Sequence, residues 1–251
     1  MLSFGESAAK LSDILSGSSN IVFFGGAGVS TESGVPDFRS ESGLYSTSQV
    51  YGYPPEQLLS LSFFNSKPEL FFQYYKEKLI HTQAKPNNAH AALARLEREG
   101  PLKAVITQNV DGLHQEAGSQ NVLELHGSSR RNTCIGCKEK YDLAYILDAE
   151  NCEIFVPKCS KCGCTVRPDI VLYEETLDSR VMQASIDAIS AADCLIVGGT
   201  SLAVYPAAGL LRYFKGRSLV LINKTQTPYD DSAGLIIRES IAQVLEAAVR
   251  V

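Results

Sequence analysis

Apolar residues along the chain follow two spacings that predict different elements. Short unbroken apolar runs that end in glycine or a polar residue predict buried strands. These runs cover residues 20–26, 103–109, 121–127, 194–200, 218–223 and 234–238. Between them, apolar residues recur every three or four positions in "AHAALARLEREG", "SRVMQASIDAISAA" and "YPAAGLLRYFKG", as in amphipathic helices. This alternation predicts an α/β fold, a parallel sheet with helices on both faces.

Two segments interrupt the alternation of strands and helices. Residues 36–85 are rich in Tyr, Phe, Ser and Pro and contain one helical pattern, "PELFFQYYKEKLI", and residues 128–167 are rich in cysteine. We expect these two segments to pack together as a smaller domain. The larger, sheet-containing domain would then comprise residues 1–35, 86–127 and 168–251.

Composition and charge exclude several classes of protein. The 251 residues are 45% hydrophobic and 20% charged, which is ordinary for a globular enzyme, and the net charge of −5 argues against direct binding of nucleic acid. The sequence contains no apolar run of about 18 residues, so it predicts no membrane-spanning helix. The first residues, "MLSFGESAAKLSDIL", lack the basic end of a signal peptide. We therefore expect a cytoplasmic protein with no membrane partner; its oligomeric state stays open, and a monomer is compatible with the sequence.

Six of the seven cysteines lie within one short segment, from Cys134 to Cys164. In a reducing compartment such clusters are typical of metal sites rather than of disulfides. Two C-x-x-C pairs predict a tetrahedral Zn²⁺ site with four thiolates: Cys134, Cys137, Cys159 and Cys162. Four thiolates leave no position for water, so such a site is structural. The alternatives are a redox-active pair, buried cysteines without metal, or a ligand set in which Cys164 or Cys152 replaces one of the four.

A glycine-rich loop follows the first predicted strand, in "NIVFFGGAGVSTESGVPDFRS". Small residues such as Gly26 at this position let a backbone approach a pyrophosphate. The pattern is not the usual G-x-G-x-x-G, and by itself a tight turn without a ligand explains it almost as well. Arg39, close behind the loop, offers a positive charge that suits a diphosphate.

Five motifs, in this order, resemble those of the sirtuin (Sir2) family of NAD-dependent protein deacylases. They are "GAGVSTESGVPDFR" (26–39), "TQNVDGLHQEAG" (107–118), "ELHG" (124–127), the paired C-x-x-C and "GTSLAVYPAA" (199–208). The resemblance covers residues 20 to 245. It implies a Rossmann-type large domain, a small domain made of a helical insertion and a zinc ribbon, and a cleft between them that receives NAD and an acyl-lysine peptide.

The resemblance also implies roles for individual residues. Catalysis would depend on Asn109, Asp111 and His126. The NAD phosphates and the adjoining ribose would be lined by Ala27, Thr31, Phe38 and Arg39. The nicotinamide would lie among Gln108, Asn109, Val110 and Asp111. The adenosine half would be held by Thr200, Ser201, Asn223, Lys224 and Ile241.

These residue types suit the reaction that the resemblance implies. Nicotinamide leaves a ribose carbon with developing positive charge, which Asp111 and Asn109 would favour electrostatically. The acyl oxygen attacks that carbon, and His126 would act as general base toward a ribose hydroxyl. The products would be nicotinamide, deacylated lysine and O-acetyl-ADP-ribose. Without the resemblance, Asp111 would be read as part of a turn, and a core histidine would explain His126 about as well as a catalytic one.

The substrate side contains two departures from the family pattern. The peptide would add as a strand between residues 170–175 and the loop that starts at Gly199. Within 170–175 the family usually has Phe-Gly-Glu where this chain has Tyr173, Glu174 and Glu175. This difference leaves the register of a bound peptide open. Members that remove acidic acyl groups carry Tyr-x-x-Arg where this chain reads Gln73-Tyr74-Tyr75-Lys76, so we expect a neutral group such as acetyl. A mono-ADP-ribosyltransferase and a non-catalytic NAD sensor are the alternative functions.

Overall fold

The computed structural model describes residues 2–37 and 51–249. Its strands are β1 (Ile21–Gly25), β2 (Leu102–Thr107), β3 (Val122–Glu124), β4 (Gly127–Cys134), β5 (Lys140–Asp142), β6 (Cys152–Glu153), β7 (Val156–Pro157), β8 (Val166–Ile170), β9 (Cys194–Gly198), β10 (Ser218–Ile222) and β11 (Leu235–Ile237). Its α-helices are α1 (Phe4–Ser16), α2 (Pro55–Leu58), α3 (Leu61–Ser66), α4 (Pro68–Tyr74), α5 (Asn88–Glu99), α6 (Leu113–Glu116), α7 (Leu143–Leu147), α8 (Ser179–Ala191) and α9 (Ile241–Val249).

Six of these strands form one parallel sheet in the order β11-β10-β9-β1-β2-β3. Each of the six apolar runs overlaps one of them, and only β2 begins outside its run, by one residue, so this part of the prediction is confirmed. From β1 the chain continues to one side through β2 and β3, and later to the other side through β9, β10 and β11. The order therefore reverses beside β1, which is where open α/β sheets bind ligands.

Helices cover both faces of the sheet, as predicted. Alternate strand residues point to opposite faces, so Phe23 and Phe24 enter different hydrophobic clusters although both are fully buried. Helices α1, α5 and α9 contribute to the cluster that contains Phe23, and α8 contributes to the other.

The pattern at 205–216 forms a 3₁₀ helix, Ala207–Tyr213, rather than an α-helix; the segment is short, follows Pro206 and contains Gly209, a poor α-helix former. The sequence patterns did not identify α1 and α9.

A third hydrophobic cluster joins the helical insertion to the cysteine segment. Buried side chains from α2–α4 pack with residues from β4, β7 and β8, among them Phe71, Cys134 and Val166. Strands β5, β4 and β8 form an antiparallel sheet, β6 and β7 form a hairpin, and a π-helical turn, Tyr75–Leu79, extends α4. The two segments that interrupt the alternation thus share a core. No helix in the described part of the chain has the length and apolar character to cross a membrane.

Candidate active site

Most of the predicted site residues in the described part of the chain lie in loops that follow neighbouring strands of the sheet, while Ile241 begins α9. Because the strands are parallel and in register, Gly25 pairs with both Thr107 and Gly198, and Gly198 pairs with Ile222, so these strands end along one line. The loops beyond that line contain residues 26–31 after β1, 108–111 after β2, His126 after β3, 199–201 after β9 and 223–224 after β10. These residues are far apart in the sequence, but they lie together at one edge of the sheet.

The glycine loop after β1 packs directly against the loop after β9. Gly28 N donates a hydrogen bond to Gly199 O at 2.8 Å. A Cβ on Gly28 would lie 2.7 Å from Gly199 Cα, and one on Gly26 would lie 2.8 Å from Thr200 Cβ. Glycine is therefore required at positions 26 and 28 because the two loops are in contact there. The sequence alone did not indicate this reason. Ala27 is half-buried and Thr31 is exposed beside this contact.

Gln108, in the loop after β2, contacts the chain at the end of β1, after β3 and after β9 through its backbone and side chain. Its backbone N donates to Gly25 O at 3.0 Å, and its side-chain Nε2 donates to Thr200 Oγ1 at 3.1 Å. Its carbonyl oxygen lies 2.9 Å from His126 Nδ1. The loops after β1, β2, β3 and β9 are therefore held in one arrangement through a single residue.

The contact with Gln108 determines the tautomer of His126. A carbonyl oxygen can only accept, so Nδ1 carries the proton and donates, and Nε2 keeps its lone pair. Burial holds the pKa of His126 below its ordinary value, and the hydrogen bond to Gln108 opposes this effect only in part. The imidazole is neutral at pH 7 and has one nitrogen available to accept a proton.

Asn109 and Asp111 are connected through a residue that sequence reasoning did not select, Ser30. The Ser30 hydroxyl donates to Asp111 Oδ2 at 2.7 Å and accepts from Asn109 Nδ2 at 3.1 Å. The second Asp111 oxygen accepts from Leu113 N at 2.9 Å, where α6 begins. Ser30 lies within the quoted glycine-loop motif, but only the fold shows that its hydroxyl bridges two loops. Val110, the other residue of this predicted group, accepts two hydrogen bonds from Ser129.

A cavity of about 640 Å³ lies on one side of this network. Asp111 contributes to its wall together with Glu116, Glu124, Arg130 and Arg131, and His126 does not. The cations are paired with carboxylates: Arg130 with Glu116, and Arg131 with Glu124. Both Asp111 carboxylate oxygens also accept hydrogen bonds, one from Leu113 N and one from Ser30 Oγ. The carboxylate is therefore connected to Asn109 through Ser30.

The residues predicted for the adenosine half are divided between the surface and the core. Ser201 and Lys224 are exposed, and Asn223 is half-buried with its amide donating to Thr225. Thr200 accepts from Gln108 and from Leu202 N. Ile241 is only 5% exposed, and a Cβ on Gly198 would lie 2.2 Å from its Cδ1, so it packs beneath the end of β9. Its contact with adenine stays a prediction, and Phe38 and Arg39 lie outside the described residues.

Four thiols converge at the predicted metal position. The Sγ atoms of Cys134, Cys137, Cys159 and Cys162 all lie within 4.8 Å of one another. The separations Cys134–Cys162 and Cys137–Cys159 are 3.4 and 3.5 Å. A tetrahedron with Zn–S distances of about 2.3 Å has sulfur atoms about 3.8 Å apart, so this set fits Zn²⁺. Neither Cys152 nor Cys164 belongs to the cluster, which favours the first of the ligand sets considered above.

The segment after β8 shows how the chain accommodates its departure from Phe-Gly-Glu. Glu174 adopts φ +77°, a left-handed conformation that favours glycine. Its carboxylate accepts from Ser62 N and Ser62 Oγ, both at 2.8 Å. Beside it, Tyr173 pairs with Leu59 and Leu61 through its backbone. The glycine-like backbone is kept, and the glutamate attaches it to α3.

Comparison with known proteins agrees with this arrangement. Residues 26–206 match the family model described as "Sir2 family". A protein of Clostridium acetobutylicum named "NAD-dependent protein deacetylase" is 58% identical over 240 residues, covering 96% of this chain and 97% of that protein. A protein of the same name from Clostridium perfringens is 59% identical over 237 residues, covering 94% and 96%.

Solved structures agree as well. A structure described as "Sir2-p53 peptide-NAD+" superposes with a TM-score of 0.83 at 39% identity, covering 96% of both chains. One described as "Structure of Sir2Tm bound to a propionylated peptide" gives a TM-score of 0.83 at 38% identity, with the same coverage. Fold, site and relatives agree, and the chain belongs to the Sir2 family.

Proposed function

We propose that this chain is an NAD-dependent protein lysine deacetylase. It would convert NAD and an acetyl-lysine peptide into nicotinamide, deacetylated lysine and O-acetyl-ADP-ribose. The observation that carries the proposal is the hydrogen-bond network around Gln108, which holds His126 and the loops after β1, β2 and β9 at one edge of the sheet. The names of the two clostridial relatives support the same reaction.

His126 is the general base in this proposal. Its Nδ1–H donates to Gln108 O, so Nε2 is the atom that takes a proton from a substrate hydroxyl. A neutral imidazole is required, and the lowered pKa of His126 provides it at pH 7. The backbone carbonyl also fixes the orientation of the ring, which keeps the base in place before the substrate arrives.

Ser30, Asn109 and Asp111 form the electrostatic part of the site. Bound NAD supplies a ribose carbon that becomes electrophilic as nicotinamide departs. Asp111 accepts from Ser30, and Ser30 accepts from Asn109, so the carboxylate fixes the direction of the Asn109 amide. A preorganised amide beside developing charge lowers the barrier without reorganisation during the reaction.

The remaining contacts to NAD and the metal follow from the loops described above. Gly26, Ala27 and Thr31 would face the phosphates, joined by Phe38 and Arg39, while Thr200, Ser201, Asn223 and Lys224 would hold the adenosine half. Four thiolates fill the coordination sphere of Zn²⁺, so the metal would join β4 to the segment before β8 and stabilise the small domain. We extend the proposal to the two-domain division at residues 36–85 and 128–167, which the shared core of these segments supports.

The substrate would be a peptide with a neutral acyl group. Lys76 stands in the stretch where an arginine would pair with an acidic acyl group, and its ammonium is engaged by Cys152. The acidic balance of the chain suits basic peptides, and we assign the protein to the cytoplasm without nucleic-acid or membrane partners. Succinyl-lysine turnover faster than acetyl-lysine turnover would contradict this preference.

One assay tests the reaction directly. The protein is mixed with NAD and an acetyl-lysine peptide, and the products are identified by mass spectrometry, with His126→Ala as the control variant. We expect O-acetyl-ADP-ribose, nicotinamide and deacetylated peptide in equal amounts, all lost in the variant. Transfer of ADP-ribose to protein would favour the transferase alternative, and NAD binding without release of nicotinamide would favour the sensor.

A further inference from the structure

Lys76 and Cys152 form a close pair that belongs neither to the hydrogen-bond networks around Gln108 and Ser30 nor to the cluster of four cysteines. Lys76 Nζ donates a hydrogen bond to Cys152 Sγ at 3.1 Å. Lys76 lies in the π-helical turn Tyr75–Leu79, and Cys152 begins β6, so the contact joins the helical insertion to the cysteine segment. Both side chains are half-buried, which limits their exchange with solvent while leaving the sulfur accessible to small molecules.

The surroundings of the pair favour contact between nitrogen and sulfur. Within residues 2–37 and 51–249, Lys76 makes no ion pair with a carboxylate; the neighbouring Glu77 accepts instead from Tyr51 and Gln73. Cys152 Sγ donates to Asp148 O at 3.2 Å. The thiol also lies 3.6 Å from Ile146 O, so two main-chain carbonyls orient it, and it faces an ammonium that has no carboxylate competitor in the described part of the chain.

We propose that Lys76 and Cys152 are a modification site at which a hydroperoxide creates a covalent sulfur–nitrogen crosslink, a sulfenamide. In the first step the Cys152 sulfur attacks one oxygen of H₂O₂; the O–O bond breaks, one water leaves, and the sulfur becomes a sulfenic acid. In the second step Lys76 releases its extra proton to solvent, and the amine attacks the sulfur. The S–N bond forms, the S–O bond breaks, and the hydroxide leaves as water with a second amine proton.

This sequence is balanced in atoms and electrons. The sulfur loses two electrons, the peroxide gains two and becomes two waters, and the protein loses two hydrogen atoms. Sulfenic acids condense with nearby nitrogen or thiol nucleophiles, and the Lys76 amine lies at hydrogen-bond distance, 3.1 Å, from Cys152 Sγ. Two equivalents of a small thiol would reverse the reaction by reducing the S–N bond. The crosslink would attach α4 and its π-helical extension covalently to the β6–β7 hairpin.

Peptide mapping of the zinc-loaded protein tests the proposal. After brief treatment with H₂O₂ we expect one linked peptide containing Lys76 and Cys152, lighter by about 2 Da than the sum of its parts, as loss of two hydrogens requires. Trypsin cleavage after Lys76 should be lost in the same fraction of molecules. Dithiothreitol should restore both the cleavage and the separate peptides.

Variants at the pair separate its chemistry from general oxidation. Lys76→Arg keeps a cationic donor but lacks an amine that can attack sulfur, so Cys152 should reach the sulfenic acid without a crosslink. Lys78→Arg, two residues along, should crosslink as the wild type does. Cys152 found as sulfinic acid, in a disulfide with another cysteine, or in a link to Lys76 that retains an oxygen atom would each overturn the proposal.

Discussion

Ser30 Oγ lies 2.7 Å from Asp111 Oδ2 and donates a hydrogen bond to it. The same oxygen accepts from Asn109 Nδ2 at 3.1 Å, so one hydroxyl orders a carboxylate and an amide from the neighbouring loop. Asp111 also accepts from Leu113 N, which fixes the carboxylate at the start of α6. Donation therefore runs from Asn109 through Ser30 to the Asp111 carboxylate, which also accepts from Leu113 N on its other oxygen.

Removing the Ser30 hydroxyl should lower the chemical rate more than it weakens binding. A hydrogen bond to a charged group contributes about 1.5–3 kcal/mol, so Ser30→Ala should reduce kcat roughly 10- to 100-fold. Steady-state release of nicotinamide with an acetyl-lysine peptide measures this change. Ser33→Ala, which removes a hydroxyl bonded to Asn87 instead, serves as the control. A Ser30 variant with unchanged kcat would remove this network from the mechanism.

The neutral state of His126 predicts the acid side of the rate profile. The residue must be unprotonated to act as a base, and burial holds its pKa below 6.5. Turnover should therefore stay constant down to about pH 6.5 and fall as the pH decreases through the lowered pKa. The measurement is kcat/KM for NAD against pH, which reports the free enzyme, with His81→Gln as a control that keeps the same profile. A decline centred above pH 6.5 would contradict the assignment.

Two other histidines should make stability depend on pH. His90 and His114 are buried with ring centroids 4.7 Å apart, and neither nitrogen of His114 has a hydrogen-bond partner among residues 2–37 and 51–249. Burial lowers the pKa of His114 to about 3, with the neighbouring His90 adding to the effect. Burial also lowers the pKa of His90. Below pH 6.5 the unfolded chain binds protons that the folded protein excludes, so stability is fully present above pH 6.5 and is lost as the pH falls toward 3.

Chemical denaturation at pH 7 and pH 5 measures this effect. The maximum slope for one histidine is about 1.4 kcal/mol per pH unit. His114→Leu, which replaces an unpaired imidazole by an apolar side chain, should show a smaller loss of unfolding free energy between the two pH values than the wild type. Equal losses in both proteins would show that other groups cause the dependence.

The sequence predicted the sheet well because each strand carries its own local signal. All six strands are nearly continuous apolar runs, and burial on both faces of a parallel sheet requires such runs. The zinc ligands were also predictable, since each C-x-x-C places two thiols in one turn and the two pairs need only meet. Local sequence patterns were sufficient to predict the strands and the two cysteine pairs, and the structure added the distances between the sulfur atoms.

The remaining features depend on contacts between distant segments. The role of Ser30 requires the loop after β1 to meet the loop after β2, and the contact between Gly28 and Gly199 requires β1 to lie beside β9. Helix α1 was not predicted because its buried face contains only two large apolar residues, Leu11 and Leu15, which is a weak local pattern. The pairing of Lys76 with Cys152 joins two segments far apart in the sequence, and neither residue has a local pattern that reveals it.

The metal site predicts different outcomes for two cysteines in the same segment. Cys134 belongs to the cluster of four thiols and Cys164 does not. Cys134→Ser should lose the bound zinc and, with it, most of the activity, because the small domain loses its crosslink. Cys164→Ser should retain one zinc per chain and near-normal turnover. Zinc content by elemental analysis and circular dichroism of both variants measure this, and zinc loss from Cys164→Ser would show that it is a ligand.

Glu174 provides a matched pair of substitutions that separate backbone strain from hydrogen bonding. Its φ of +77° costs a non-glycine residue about 1–2 kcal/mol, and its carboxylate offsets this by accepting two hydrogen bonds from Ser62. Alanine removes the hydrogen bonds and keeps the strain, whereas glycine removes both. Glu174→Gly should therefore unfold at a higher temperature than Glu174→Ala, with a difference of about 1 kcal/mol in unfolding free energy after the greater flexibility of unfolded glycine is allowed for. Ser62→Ala should destabilise the wild type more than either Glu174 variant, because the variants already lack the hydrogen bond to Glu174 and the contact between Ser62 Oγ and Ser60 Oγ is common to all three. An alanine variant as stable as the glycine variant would show that residue 174 is not held in the left-handed conformation.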